Sequence, residues 1–350
     1  MKHKIFVFLL FAIAFTNHSI ASNHSISKND PVSKNDSIVA TIKPLHSLVE
    51  SVVGDSGKVE LLLQGSESPH TFQMKPSHLV MLHKGAVVFY IDKDLEFFLE
   101  RVIRQLPKSV HTVEISSSLP SNQLLFNRSS NFDAQDKLDD KDKQHENHND
   151  KHTADKHTAD KHTADKHKEE DHHHHHASGI YDSHIWLDPD NAKEIVKIVR
   201  DRLIQLFPEN KKIYITNSNN VIDRIDMLDM KIKKMLSNIK DRRFLAFHDA
   251  YQYFERHYNL KIVATILTEP NDFISASHLS KIRMIIEKQK IKCVFHEPQF
   301  SQKLTKNVTE GLDIETMSLD PVGASIKPGR NLYFKLMEQL ATNIKRCMEQ

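Results

Sequence analysis

Short apolar runs of strand length alternate with helix-like segments from residue 37 onward. In the first part of the chain, apolar runs bounded by polar residues predict strands at 37–42, 58–63, 86–91 and 111–115. Apolar positions three or four residues apart predict helices at 45–53, 77–83 and 95–106. Because strands that alternate with helices form parallel sheets, this part of the chain predicts a βα lobe.

A second series of strands and helices follows one long helical segment. Helical spacing is found at 191–206 and again at 208–239, where a helix would be about 45 Å long at 1.5 Å per residue. Beyond it we predict strands at 243–247, 260–267, 292–296 and 314–318, and helices at 250–257, 277–288 and 332–348. The pattern therefore predicts an α/β fold: two βα lobes with mostly parallel sheets, 37–208 and 240–350, joined by one long rigid helix at 209–239.

The first 36 residues do not follow this alternation. A basic start at Lys2 and Lys4, an apolar run at 5–15 and small residues at Ser19 and Ala21 are typical of a secretory signal peptide spanning 1–21. The apolar run is too short to span a membrane, which takes about 20 residues. Residues 22–36 are polar and predict a disordered leader. Since no cysteine follows the apolar run, we expect an exported, periplasmic protein without a lipid anchor.

The composition changes again between residues 131 and 176. This segment holds 13 acidic residues, 8 lysines and 11 of the 24 histidines, and the unit Lys-His-Thr-Ala-Asp repeats from residue 151. Such a segment cannot bury enough apolar surface to offset the entropy of ordering it. We therefore predict a disordered insertion within the first lobe.

The insertion's histidines have two interpretations. They can be part of a solvated linker without a function, or they can bind zinc weakly and raise its concentration near a tighter site. A five-residue repeat does not collect imidazoles on one helix face, so a flexible coil would have to fold around each ion. The candidate low-affinity ligands are His152, His157, His162, His167, His172, His173, His174, His175 and His176.

Charge and glycine content exclude two other classes of protein. Lys and Arg number 48 against 46 Asp and Glu, for a net charge of +2, which does not suit a polybasic nucleic-acid binder. Glycine is scarce, at 8 residues, and neither GxGxxG nor GxxxxGK[ST] occurs, so a glycine-built phosphate site is not expected. The two cysteines, Cys293 and Cys347, are candidates for a disulfide in an oxidising compartment, with two buried free thiols as the alternative.

Several histidines and carboxylates stand where predicted strands end. In open α/β sheets, ligands bind beyond the carboxyl ends of the strands. The candidates are His70, in the loop after the strand at 58–63, and His184, which precedes the helix at 191–206. The others stand at the ends of later strands: His248, Glu297 and Asp320. Three imidazoles and one carboxylate form a four-ligand set that suits zinc, whereas manganese prefers more oxygen ligands. Because imidazole must be neutral to coordinate, the affinity should fall in acid.

The segments around these residues resemble a known family. The chain is similar to the solute-binding proteins of zinc ABC importers, the ZnuA type within the zinc- and manganese-binding cluster. The resemblance extends from about Ser37 to Met348. Its motifs are Pro69-His70, HIWLDP at 184–189, FHDAY at 247–251, EPQF at 297–300 and LDP at 319–321, and the histidine-rich insertion is also typical of zinc members.

The resemblance implies two lobes joined by a long helix, with zinc held in the cleft between them. It makes His70 and His184 ligands from the first lobe and His248 a ligand from the second. The fourth ligand is either Asp320 or water, and Glu297 would be an outer or structural residue. It also implies a Cys293–Cys347 disulfide, a membrane ABC permease as the partner and no catalysis; we further expect a monomer that binds no nucleic acid and touches the membrane only through the permease.

Two other functions remain open at this point. A manganese-binding protein of the same architecture would carry a carboxylate at the position of His248. An exported zinc hydrolase would need an open metal position and a general base such as Glu297 or Asp249. No HExxH or HxxEH motif is present, and ligands spread over separate loops of two lobes suit a clamp better than a hydrolase.

Overall fold

The computed structural model describes residues 37–128, 180–239, 243–267, 270 and 274–349. The predicted signal peptide (1–21), leader (22–36) and histidine-rich insertion (131–176) lie outside these residues. Within the described part of the chain, no helix combines the length and the apolar character that crossing a membrane requires.

The first lobe is built on a parallel sheet of four strands in the order β2-β1-β3-β4. These strands are β1 (Ser37–Ala40), β2 (Val59–Leu61), β3 (Gly85–Tyr90) and β4 (His111–Glu114). The helices of this lobe are α1 (Lys43–Val53), α2 (Pro76–Lys84), α3 (Glu100–Ile103) and α4 (Pro189–Leu206). The two central strands, β1 and β3, are almost entirely apolar and buried, because helices cover a parallel sheet on both faces.

The second lobe repeats this arrangement with the strand order β6-β5-β7-β8, again all parallel. The strands are β5 (Arg243–Ala246), β6 (Lys261–Thr265), β7 (Cys293–His296) and β8 (Glu315–Ser318). The helices that follow the long connecting helix are α6 (Gln252–Tyr258), α7 (Ala276–Gln289), α8 (Lys303–Thr309) and α9 (Leu332–Met348). In each sheet the order reverses beside the first strand, and the carboxyl ends at such a point form a natural crevice.

The long helix α5 (Lys211–Leu236) connects the two lobes. Its 26 residues span about 39 Å, and a short 3₁₀ turn at Pro208–Asn210 precedes it. Its buried residues recur every three or four positions and face α1, α4 and α9; they are Tyr214, Ser218, Val221, Ile225, Leu228, Ile232 and Leu236. The predicted long helix is thus present, a few residues shorter than its apolar pattern indicates.

The last helix, α9, ties the two halves of the chain together. It packs on α1 and α5, and the Tyr333 amide donates a hydrogen bond to Ser47 Oγ (3.1 Å). Its far end is held to β7 by the disulfide between Cys293 and Cys347, whose Cα atoms are 5.8 Å apart. The disulfide alternative is therefore the one that the structure contains.

The prediction of one helix over 95–106 is wrong. The segment holds a 3₁₀ turn at Phe97–Leu99 and only one turn of α-helix, α3. Asp92 Oδ1 accepts hydrogen bonds from the amides of Asp94 and Leu95, and Glu96 Oε2 accepts one from the Ile91 amide. These hydrogen bonds hold residues 91–96 in turns that precede α3, so the helical part of the segment is short.

Candidate metal centre

His70 lies in the loop that follows β2, in a tight turn. The Ser68 carbonyl accepts a hydrogen bond from the Thr71 amide (3.2 Å), and Ser68 Oγ accepts one from the His70 amide (3.3 Å). The preceding Pro69 restricts the backbone on the approach to this turn. The turn directs the partly buried His70 ring towards the second lobe.

His184 is held by the aspartate two residues before it. Asp182 Oδ1 accepts hydrogen bonds from both the His184 amide (2.9 Å) and His184 Nδ1 (2.8 Å). The buried turn Ile185–Leu187 then packs into the core, where the Trp186 indole donates to the Pro321 carbonyl (2.8 Å). The position of His184 is therefore fixed on both sides along the chain.

His248 comes from the second lobe, two residues beyond the end of β5. Its Nδ1 donates to Glu297 Oε1 at 2.6 Å, and the Tyr251 hydroxyl donates to the same oxygen at 3.1 Å. Glu297 follows β7, the neighbour of β5 in the sheet, so adjacent strand ends bring this pair together. His248 and Glu297 are 3% and 1% exposed, so the pair is shielded from bulk water.

The three imidazoles converge on one point between the lobes. His184 Nε2 lies 3.4 Å from His70 Nε2 and 3.4 Å from His248 Nε2. One nitrogen of each ring lies within 4.8 Å of the other two. The cavity beside them has room for about one small species, such as a water molecule.

Both Nδ1 hydrogen bonds fix the tautomer of the ring that makes them. A neutral imidazole that donates from Nδ1 has an unprotonated Nε2, and that lone pair then points at the common centre in His184 and His248. Metal-binding histidines commonly donate their second nitrogen to a carboxylate in this way.

The electrostatics of the cluster favour neutral rings. Burial, together with the neighbouring imidazoles, lowers the pKa of His70 and of His184 well below 6.5. Burial raises the pKa of Asp182 to about 7, although the His184 amide, Arg128 and His248 oppose that rise. A cation at the Nε2 atoms would restore the ionised form of Asp182.

Asp320 does not join the cluster. Its Oδ1 accepts hydrogen bonds from Gln299 Nε2 (2.6 Å) and from the amides of Val322 (3.1 Å) and Gly323 (2.9 Å). Its Oδ2 accepts one from the Ala324 amide (2.6 Å). The Asp320 carboxylate thus stabilises the 320–324 turn, and the choice between Asp320 and water as the fourth ligand stays a prediction.

The sequence motifs do not indicate the role of Asp182 in this site. The one feature that could have done so is an acidic residue two positions before His184. At that spacing one carboxylate oxygen can reach both the amide and the ring of His184. Nothing in the hydrophobic pattern distinguishes this from an ordinary polar loop residue.

A second histidine and carboxylate group lies beside α4. His257 Nδ1 is 3.3 Å from Asp188 Oδ1 and its Nε2 is 2.8 Å from Asp229 Oδ1, while Asp190 lies at the edge of the group. Arg256 pairs with Asp188 and Lys193 with Asp190, so cationic side chains already occupy the positions around these carboxylates. The group therefore forms an ion-pair network in this structure.

Comparison with known proteins decides the family. The family model described as zinc-uptake complex component A, periplasmic (ZnuA), matches residues 38–347. The chain belongs to this family. Members are periplasmic zinc-binding components of a zinc uptake system rather than enzymes.

Individual relatives agree with this membership. The high-affinity zinc uptake system protein ZnuA of Brucella suis is 34% identical over 313 residues, covering 89% of this chain and 92% of the relative. The crystal structure of ZnuA superposes with a TM-score of 0.68 at 20% identity, over 89% of this chain and 99% of that one. The Zn(II)-bound ZnuA-like domain of Streptococcus pneumoniae AdcA gives a TM-score of 0.62 at 21% identity, over 90% and 99%. At these identities the structural matches show the shared fold.

Proposed function

We propose that this protein is a periplasmic zinc-binding protein that captures Zn²⁺ with His70, His184 and His248 and delivers it to a membrane ABC permease. The observation that carries the proposal is the convergence of three Nε2 atoms, two of whose rings are held through Nδ1 by buried carboxylates. Zinc is the cargo, bound reversibly.

The spacing of the nitrogens suits a tetrahedral ion. Two ligand atoms at the zinc–nitrogen distance of about 2.0–2.1 Å from a tetrahedral centre are about 3.3–3.4 Å apart. The 3.4 Å separations at His184 match that edge length. Because Asp320 is engaged elsewhere, we propose that water completes the coordination from the small cavity beside Gln299 and Phe300.

The charges near the site also suit a dication. The carboxylates of Asp182 and Glu297 each hold one imidazole and, when both are ionised, balance a charge of +2 without contacting the ion. Each has a second buried oxygen without a hydrogen-bond partner. Burial raises the pKa of Asp182 to about 7, so its ionised form is costly until a cation arrives. Three nitrogen ligands favour zinc over manganese, which prefers oxygen.

We also propose a division of the chain that accompanies this function. Residues 1–21 would direct export and be removed, without lipidation, and the lobes 37–208 and 240–350 would close on the ion about the helix within 209–239. The histidine-rich segment would gather zinc weakly through the histidines named above. Delivery to the permease would be by a monomer.

Metal titration of the full mature chain tests the proposal. We expect one tight zinc site that manganese displaces only at large excess, together with weaker sites that disappear when residues 131–176 are deleted. Equal competition by manganese would favour the manganese-binding alternative, and turnover of esters or peptides by the zinc-loaded protein would favour the hydrolase. An unchanged zinc stoichiometry after the deletion would contradict the role given to the insertion.

A further inference from the structure

The described residues on either side of 129–179 form a short antiparallel ribbon. The Asn127 amide donates to the Ile180 carbonyl (3.0 Å), and the Asp182 amide donates to the Leu125 carbonyl (2.9 Å). The rings of Phe126 and Tyr181 pack across it, with centroids 5.0 Å apart. We call residues 125–128 and 180–182 the root ribbon.

The root ribbon leads directly into the metal centre. Its second strand ends at Asp182, which holds the His184 ring. The Tyr253 hydroxyl, on α6 of the second lobe, accepts a hydrogen bond from the Leu125 amide (3.0 Å) and donates one to the Asp182 carbonyl (2.9 Å). One buried tyrosine therefore joins both strands of the ribbon to the second lobe.

Arg128, at the end of the first ribbon strand, grips the second lobe. Its Nε and Nη2 donate to the two oxygens of Asp249, the residue after His248, and its Nη1 donates to Glu255 Oε2 at 2.6 Å. Glu255 in turn accepts a hydrogen bond from the Ile262 amide at 2.9 Å, so the anchor belongs to the framework of the second sheet. The Asp249 side chain is only 5% exposed, so Arg128 is a buried carboxylate's partner rather than one half of a surface ion pair.

We propose that Arg128 is a positioning residue for metal binding, which clasps the second lobe to the root ribbon and so holds His248 at its distance from His184. The inference rests on the proposed function of the three-histidine centre. The physical basis is that a bidentate contact fixes direction as well as distance. It joins Asp249, the residue next to His248, to the root ribbon, whose last residue, Asp182, holds the His184 ring. Without the clasp, the two lobes would hold their imidazoles less firmly, and the ion would leave faster.

The test compares Arg128→Gln with Arg256→Gln in the full mature chain. Arg256 lies on α6, the helix that carries Tyr253 and Glu255. It also forms an ion pair with the first lobe, with Asp188 Oδ2 at 3.3 Å, but Asp188 is not part of the root ribbon. We expect Arg128→Gln to raise the zinc dissociation rate, followed with a chromophoric chelator, about tenfold, and Arg256→Gln to change it less than twofold. The visible absorption of one equivalent of Co²⁺ should change in Arg128→Gln and not in Arg256→Gln, because that spectrum reports ligand geometry rather than stability.

Two further variants separate positioning from folding. Arg128→Lys keeps the charge but loses the bidentate contact, so an intermediate rate is expected. Asp249→Asn should raise the rate as Arg128→Gln does, and the double variant should match either single variant. Equal rates in Arg128→Gln, Arg256→Gln and the parent chain would overturn the proposal, as would fully multiplicative effects in the double variant. If Arg128→Gln does not fold, the Arg128→Lys and Asp249→Asn measurements decide the question alone.

A parallel measurement on His184→Ala keeps the two proposals distinct. Loss of the tight zinc site in His184→Ala, with unaltered kinetics in Arg128→Gln, refutes the clasp and leaves the metal centre standing. A tight site that survives His184→Ala refutes the centre itself.

Discussion

At the scale of single residues, the centre depends on ring nitrogens whose orientation is set by carboxylates. His184 and His248 each donate Nδ1 to one buried oxygen, so the lone pair that faces the other imidazoles is fixed before any ion binds. This preorganisation removes part of the entropy cost of binding. Substitutions at the ligands and at their carboxylate partners should therefore have separable effects.

Replacing a ligand should cost more than replacing a histidine elsewhere. His184→Ala and His248→Ala should each weaken zinc binding more than about 100-fold, since loss of an outer carboxylate alone typically costs 10–100-fold. The control is His278→Ala. His278 lies on α7, outside the three-histidine cluster, and its Nε2 forms a hydrogen bond with the Ile266 carbonyl. Competition titration measures the three constants; similar values for His184→Ala and His278→Ala would be inconsistent with the centre.

Because Asp182 and Asp320 have different partners, we expect the same Asp→Asn substitution to have different effects at the two residues. Asp182→Asn should weaken zinc binding about 10–100-fold. Asp320→Asn should mainly lower the free energy of unfolding, by about 1–3 kcal/mol, because backbone amides lose a charged acceptor. Denaturant unfolding and zinc titration on both variants measure this, and a larger affinity loss in Asp320→Asn than in Asp182→Asn would favour Asp320 over water as the fourth ligand.

The sequence alone predicts the three imidazoles that the fold brings together, but not what surrounds them. His70, His184 and His248 are visible because each sits in a motif at a predicted strand end or helix start. The role of Asp320 is not visible, because a carboxylate that binds a metal and one that accepts amides from its own turn look the same in a sequence. Hydrogen bonds within a loop depend on backbone angles that hydrophobic periodicity does not encode.

At the scale of elements, the hydrophobic pattern predicted the strands and the last helix well, because these elements bury regularly spaced apolar residues. The strands β1 to β8 and the helix α9 lie within a few residues of the apolar runs, because a buried parallel strand must be apolar. Prediction failed at 95–106, where the side chains of Asp92 and Glu96 redirect the local hydrogen bonds. The short helix α8 was not predicted, since two turns offer too few apolar positions to distinguish it from a loop.

The disulfide acts on elements rather than on the site. It closes a loop of 54 residues between β7 and α9. In the chain-entropy model, its removal by Cys293→Ser with Cys347→Ser should lower the free energy of unfolding by up to about 4 kcal/mol. Zinc stoichiometry at the tight site should not change, because both cysteines lie away from the imidazoles. Chemical denaturation followed by fluorescence measures the first quantity, and a lost tight site in the double variant would speak against this separation.

At the scale of the whole molecule, the two lobes bring imidazoles to one point, so zinc binding at the proposed centre would couple to the relative position of the lobes. His70 and His184 belong to the first lobe and His248 to the second, while α5 and α9 pack the halves together. A protein that must hold an ion and then release it to a partner gains from such an arrangement, because separation of the lobes removes one ligand.

The pH dependence of zinc binding follows from the same burial. Burial raises the pKa of Asp182 to about 7, so below pH 7 zinc binding must be accompanied by loss of its proton. Burial lowers the pKa of His70 and His184 well below 6.5, so protons compete with zinc for these rings only at still lower pH. We therefore expect the zinc affinity to fall as the pH drops below about 7 and to fall more steeply in stronger acid. Titrations in matched buffers measure this, and an affinity that is constant from pH 7.5 to 5.5 would count against the assignment.

The most direct test of the central claim is anomalous X-ray diffraction at the zinc edge from crystals of the chain loaded with one equivalent of zinc. The account predicts one dominant peak between the lobes, about 2.0–2.1 Å from Nε2 of His70, His184 and His248. A dominant peak elsewhere, with the three imidazoles pointing apart, would contradict it.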